Sequence, residues 1–317
     1  MISIVLPVVK TIYFEEALKS VLNQTQTDFE LIIVDNQADP GFDAILERNV
    51  DPRITVRRHQ KRVPIIENWN LCASYASRRY LMLFSDDDTM TEHCIEEFIQ
   101  LINKYPDSKI FHSRVCLTDE AGIPNRLTSS APELESGLNY IYEVFVLGRT
   151  QLVSDFLWDR QFFIENGGYE SLPGAWGSDE VTTYKIAHLA KEVVYAANPL
   201  VNVRVNPVNF TNTMQFETQL NAVCHFDNWM HSFLETVQPE YGADIRYKTI
   251  RREYDQILDK RYTGCFMNLA MRGIIFSALL YRFKHRKNLS HIRWKVVFTA
   301  VGISLYKRLN GIKNYRD

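Results

Sequence analysis

The chain has 317 residues, more than one average domain. Its 46% hydrophobic and 23% charged content supplies a sizeable core and excludes a disordered chain. Five cysteines, Cys72, Cys94, Cys116, Cys224 and Cys265, are odd in number and lack paired metal-ligand spacing, which excludes a disulfide framework or zinc site and reads as free thiols in a reducing compartment. The net charge of −2 hides an asymmetry, because residues 260–317 hold 13 Lys/Arg and one acid, Asp317, leaving 23 bases against 37 acids in residues 1–259.

Residues 2–6 (ISIVL) form an apolar, β-branched run stopped by Pro7, as expected of a strand buried on both faces. Phe14, Ala17, Leu18, Val21 and Leu22 then fall on one face of a helix ending near Gln24. A second buried strand, LIIV at 31–34, leads into Asp35. A third is expected at 54–57, a helix from Pro64 to about Ser77, and a fourth strand, YLMLF, at 80–84. Strands alternating with helices predict right-handed βαβ units and a mostly parallel, Rossmann-like sheet with helices on both faces. Further strands are expected at 109–116 and 155–163, with a turn at 119–122 between them. Beyond Asn206 the pattern turns helical, over 214–237, 245–260, 264–283 and 292–309. The opening MISIVLP has no basic segment followed by a long apolar run and cleavage site, so the chain is expected in the cytoplasm.

In such sheets ligands bind beyond the carboxyl ends of the strands, and Pro7, Asp35 and the run Asp86, Asp87 and Asp88 all fall there. No GxGxxG follows the first strand and no GxxxxGK[ST] occurs anywhere, so dinucleotide dehydrogenases and P-loop enzymes lack their phosphate cradle. Three consecutive carboxylates repel and raise one another's pKa values, a cost that a cation removes. Mg²⁺ or Mn²⁺ suits one or two carboxylates completed by substrate phosphates. A solvated acidic turn or helix cap is the alternative.

The segments ISIVLPVVK, SVLNQT, FELIIVDNQAD and NWNLCASYASRRYLMLFSDDD, in this order and spacing, resemble the N-terminal half of family 2 glycosyltransferases of the GT-A fold; Asn70 lies seventeen residues before Asp87, as the family's helix asparagine does before its metal-binding carboxylate. The resemblance spans roughly residues 2–205. It implies a nucleotide-sugar-binding half over 1–110, an acceptor-binding half over 111–212 and a basic helical extension over 213–317.

The resemblance also implies residue roles. Pro7 and Val8 border the nucleotide, Asp35 contacts the base, Asn70 faces the donor, Asp86 faces the ribose or diphosphate, and Asp87 is the main ligand of Mn²⁺ or Mg²⁺. Because Ser85 stands where many relatives have Asp, which neighbour assists Asp87 stays open, with Asp88 the second choice. In ENGGYESLPGAWGSDEVTTYKIA, similar to the family's acceptor loop and following helix, Asp179 matches the general base, with Glu180 the alternate and helix capping the competing role. Trp176 would flank the acceptor sugar, with a core position the alternative. Arg204 matches a basic residue near the diphosphate. The implied reaction is metal-dependent inverting transfer from a nucleotide-diphosphate sugar to a saccharide acceptor, a lipid-diphosphate-linked one among the options, in polysaccharide, O-antigen or capsule synthesis.

Two other readings compete. A nucleotidyltransferase would want a glycine- and arginine-rich loop after the first strand, and PVVKTIYFEE has no glycine. An inactive binding protein would have no need to keep Asp35, Asp87 and Asp179 together. In the tail, 264–283 is span-length but has Arg272 at its centre and Asn268 nearby, which argues against a membrane span. Trp294, Val297, Phe298, Val301 and Leu305 form a stripe flanked by Arg293, Lys295, Lys307 and Arg308, which fits a helix on an anionic membrane surface at the inner face of the cell membrane; packing on the core is the alternative. No aromatic-basic motif for nucleic acid accompanies the charge.

Overall fold

The computed structural model describes residues 1–205, 214–272, 276–285, 289 and 292–309. The chain forms two compact units, residues 1–171 with 178–205, and residues 172–177 with 206–317.

In the first unit the apolar run at the start becomes β1 (Ile2–Val8), which leads through α1 (Phe14–Leu22) to β2 (Phe29–Asp35). Phe14, Ala17, Leu18 and Val21 are the buried face of α1, as their spacing predicts. Next come α2 (Phe42–Arg48), β3 (Ile54–Arg58), α3 (Ile65–Tyr75), β4 (Tyr80–Leu83), the two-residue β5 (Thr89–Met90) and α4 (Cys94–Lys104). Then follow β6 (Ile110–Thr118), β7 (Pro124–Leu127), β8 (Leu134–Ser136), α5 (Gly137–Phe145), β9 (Phe156–Asp159), α6 (Arg160–Glu165), α7 (Ser178–Ala190) and β10 (Glu192–Arg204).

These strands make one sheet in the order β3-β2-β1-β4-β9-β6-β10-β5, with β7 added to β6 and β8 to β10. β1, β2, β3 and β4 are mutually parallel, and β9 runs antiparallel between β4 and β6. Val5 and Leu6 of β1 are both fully buried although they point to opposite faces, so the sheet is covered on both sides and reads as continuous apolar runs rather than alternation. The fold is therefore the mostly parallel α/β sheet expected, with a helical C-terminal region.

One expected strand changes. Residues 155–163 do not run on as a strand, because Asp159 accepts a hydrogen bond from the Phe162 amide at 3.2 Å and caps α6.

The second unit contains α8 (Phe216–Tyr241), α9 (Ile245–Arg272), α10 (Ser277–Lys284) and α11 (Trp294–Leu309). The stretches 245–260 and 264–272 are one helix. Gly264 costs it about 1 kcal/mol, which the buried Tyr254, Leu258, Tyr262, Cys265 and Phe266 around it outweigh. Asp227 of α8 accepts hydrogen bonds from the hydroxyls of both Tyr254 and Tyr262 of α9, at 2.6 and 3.2 Å. The Arg272 side chain and residues 273–275 lie outside the described residues. Among those described, no helix is long and apolar enough to cross a membrane.

A close approach in the first unit gives a test. Gly137 opens α5 against the end of α7, and its amide donates to the Lys191 carbonyl at 2.8 Å. A Cβ there would overlap the Ala187 carbonyl oxygen. Gly137→Ala is therefore expected to lower stability by about 1–3 kcal/mol in denaturant unfolding, against a change near zero if this packing is loose.

Candidate active site

The parallel strands bring their carboxyl ends to one edge. Val8 is in register with Asp35, and Val5 with Leu83, so the chain leaving β4 delivers Asp86, Asp87 and Asp88 beside the ends of β1 and β2. The three carboxylates then meet different partners.

Asp86 turns back onto the exit of β1, where its Oδ2 accepts from the amides of Val9 at 2.8 Å and Lys10 at 2.9 Å. Burial pushes its pKa up to about 6, and these two amide hydrogen bonds oppose the rise. Asp88 is buried. Its Oδ2 accepts from the Ser154 hydroxyl at 2.6 Å and its Oδ1 from the Arg204 amide at 3.1 Å. Burial, and next the charge of Asp87, push its pKa up to about 8. Asp87 is half-buried between them. Its pKa is also raised by burial, yet among the described residues its carboxylate receives no hydrogen bond from another residue.

Arg204 closes this cluster from behind. Its Nε donates to the Asp87 carbonyl at 3.1 Å, one terminal nitrogen to the Glu120 carbonyl at 2.5 Å and the other to Glu16 Oε2 at 2.6 Å, while its carbon lies 4.1 Å from the Tyr13 ring centroid. The guanidinium, 4% exposed, thus ties α1, the β6–β7 turn and the carboxylate run together. Ser154 has two tasks, because its Oγ also accepts from the Ser85 amide at 3.1 Å. Neither partnership is visible in the sequence, where Ser154 is a lone serine in a loop.

At β2, Asp35 accepts from the Ala38 amide at 2.8 Å and from Arg58 at 3.0 Å, which shapes the turn beyond the strand. Val8 keeps its side chain in the core and its carbonyl accepts from Asn36, so little of it but the strand backbone faces the edge; Pro7 is half-buried.

Asn70 has an unexpected partner. Its side chain accepts from the Tyr169 amide at 2.8 Å and donates to the Tyr169 carbonyl at 3.0 Å, pairing α3 with the Gly167-Gly168-Tyr169 loop as a strand neighbour would. Gly168 sits at φ +63°, and a Cβ there would overlap Asn70 Oδ1, so this position takes no side chain while the tie holds. Both ends of the amide are engaged by the Tyr169 backbone.

Asp179 and Glu180 occupy the first turn of α7, half-buried beside the fully buried Ser178. Glu180 accepts from the Tyr184 hydroxyl at 2.6 Å. The buried hydroxyls of Tyr140 and Tyr169 have raised pKa values, chiefly through burial, and the charges of Asp155 and Asp179 both add to the rise. Asp179 therefore shares an electrostatic neighbourhood with the residue next to Ser154. Trp176 belongs to the second unit, where Arg261 lies 5.6 Å from its ring centroid.

Among the described residues no group of three or more His, Cys, Asp or Glu side chains could hold a metal ion by itself, so a divalent cation at the Asp87 carboxylate would need further oxygen ligands, which a bound diphosphate could supply.

A mostly parallel α/β sheet with an acidic cluster at its carboxyl edge and no glycine-rich phosphate loop agrees with the GT-A fold, which the solved structures below share with this chain. Residues 3–150 match the model of Glycosyl transferase family 2. No curated protein sequence matches the chain. Among solved structures, S. aureus TarS 1-349 in complex with UDP-GlcNAc is similar with a TM-score of 0.60 at 16% identity, over 99% of this chain and 93% of that one. The mannosyltransferase PcManGT from Pyrobaculum calidifontis, in complex with GDP-Man and Mn²⁺, is similar with a TM-score of 0.56 at 13% identity, over 98% and 88%. The protein is a glycosyltransferase, and residues 3–150 carry its family 2 region.

The tie at Asn70 is testable. Asn70→Ala should cost about 1–2 kcal/mol of stability and leave nucleoside-diphosphate affinity unchanged in calorimetry, whereas loss of that affinity at full stability would put Asn70 on the donor.

Proposed function

We propose that the protein transfers a glycosyl group from a nucleotide-diphosphate sugar to an acceptor hydroxyl in one inverting, metal-dependent displacement. The observation that carries this reading is the division of labour at the strand edge: Asp86 and Asp88 are spent on protein hydrogen bonds, while the Asp87 carboxylate receives none from another residue among those described. The structural neighbours support the donor class, since TarS was solved with UDP-GlcNAc and with UDP, and PcManGT with GDP-Man and Mn²⁺.

In this reading Asp87 holds Mn²⁺ or Mg²⁺ together with the donor diphosphate. Bound there, the ion would supply the positive charge that stabilises the departing diphosphate. Asp35 and the backbone at Pro7 and Val8 border the nucleoside, and Asp86 holds the β1 exit in shape beside it.

Asp179 takes the proton from the acceptor hydroxyl as the oxygen attacks the anomeric carbon opposite the leaving group. The proton ends on the Asp179 carboxylate, the new bond forms at the anomeric carbon and the nucleoside diphosphate departs with the bonding pair. Glu180 already has one carboxylate oxygen occupied by the Tyr184 hydroxyl, which leaves Asp179 as our choice of base. We place the reaction in surface-polysaccharide synthesis at the inner face of the membrane, on a lipid-diphosphate-linked acceptor, a reading supported by the basic excess of residues 260–317.

Screening UDP- and GDP-sugars by thermal unfolding with Mn²⁺ tests the donor class. The true donor at 100 times its Kd should add about 2.7 kcal/mol of stability only when the metal is present, and no metal-dependent stabilisation by any nucleotide sugar would overturn the reading. With that donor, Asp179→Asn should lower turnover by about a hundredfold or more while donor affinity survives, and near-normal turnover would remove Asp179 from the role of base.

A further inference from the structure

The last two helices of the second unit carry apolar residues on two sides. On α11, Val296, Val297, Ala300, Val301 and Ser304 are buried, and the Ser304 hydroxyl reaches towards the Met267 carbonyl of α9 at 3.5 Å. The stripe expected from Trp294 to Leu305 therefore splits. Val297 and Val301 turn inward, while Trp294, Phe298 and Leu305, joined by Leu309, lie along a second face at helical spacing that stays exposed, Phe298 by 59% and Leu309 by 77%. On α10, Phe276, Leu280 and Phe283 repeat this at i, i+4 and i+7, with Leu280 64% and Phe283 61% exposed, whereas Ala278 and Arg282 are buried. The two helices adjoin, since the Arg282 guanidinium rests 4.8 Å from the Trp294 ring centroid. Packing within the unit satisfies one face of each helix and leaves seven large apolar side chains in water, more than scattered surface exposure accounts for.

Charge selects the occupant. Residues 276–309 contain Arg282, Lys284, Arg286, Lys287, Arg293, Lys295, Lys307 and Arg308 and no acid. Asp259 of α9 neutralises part of this, holding Arg293 at 3.0 Å and Lys295 at 3.0 Å, and Arg282 donates inward to the Ile292 carbonyl. By composition the segment keeps its excess of basic residues. A second copy laid against this face would set basic stretch against basic stretch, whereas an anionic bilayer supplies both the apolar interior and the opposite charge.

We propose that the Phe276–Leu280–Phe283 and Trp294–Phe298–Leu305–Leu309 faces form a peripheral docking surface for an anionic lipid membrane. This goes beyond the proposed reaction and does not depend on it.

The test is flotation of the full chain with phosphatidylcholine vesicles containing about a third phosphatidylglycerol, alongside a variant combining Leu280→Gln, Phe283→Gln, Phe298→Gln and Leu305→Gln. All four positions are exposed, so the variant should melt like the wild type. The wild type is expected to float with these vesicles at low salt, to float less with pure phosphatidylcholine or at high salt, and to bind at least about tenfold better than the variant. Equal flotation of variant and wild type would overturn the proposal. So would a wild type that does not float at low salt, or a dimer seen by light scattering that the substitutions abolish. The comparison of vesicle types and salt uses the wild type alone, so it stands even if the variant fails to fold.

Discussion

Three adjacent carboxylates at the end of a buried strand cannot all be left to repel one another, and the way this chain relieves them organises the surrounding structure. Asp86 is spent on two amides where the chain leaves β1, and Asp88 on Ser154 and the Arg204 amide. Each of these hydrogen bonds joins parts of the chain 66 to 116 residues apart, so the acidic run holds together the edge it occupies. Asp87 is left with its charge partly buried and no donor from another residue among those described, an arrangement that a cation bridging to a diphosphate would complete.

Counter-charge comes from Lys10 and, behind the run, from the buried Arg204. A lysine in its place would present a compact point charge, but the planar guanidinium serves the Asp87 carbonyl, the Glu120 carbonyl and Glu16 at once while stacking over Tyr13. With its donors taken up in this way and only 4% of it exposed, it acts on the site through position and field rather than as an open phosphate ligand. Family resemblance implied a basic residue near the diphosphate, and the structure shows the contacts that fix Arg204 behind the carboxylate run.

The strands were legible because they are buried on both faces, so ISIVL, LIIV and YLMLF stand out as apolar, β-branched or aromatic runs whatever their tertiary partners. Where one run covers two elements, the signal fails. FLWDRQFF is apolar from end to end, and only the hydrogen bond from Phe162 to Asp159 shows where strand becomes helix. The stretches 245–260 and 264–283 read as separate helices, whereas packing carries the first straight through Gly264 to Arg272. At the site, the existence of an acidic cluster could be read directly, as could Asp179 at the start of a helix. The assignment of individual oxygens could not, because Ser154, Arg204 and Tyr169 reach their partners across the fold and leave no local pattern. Asn70 shows this most clearly: its spacing to Asp87 is that of a donor-side residue, and its amide is bound to a backbone 99 residues away.

Calorimetry of UDP and GDP binding in Mn²⁺, run on Asp87→Ala and Asp88→Ala beside the wild type, tests the division of labour among the carboxylates most directly. The account predicts that Asp87→Ala loses metal-dependent binding at unchanged stability, while Asp88→Ala keeps a metal-dependent signal and loses about 1–3 kcal/mol of stability as Ser154 and the Arg204 amide lose their acceptor. Metal-dependent affinity that survives in Asp87→Ala and disappears in a stably folded Asp88→Ala would contradict it.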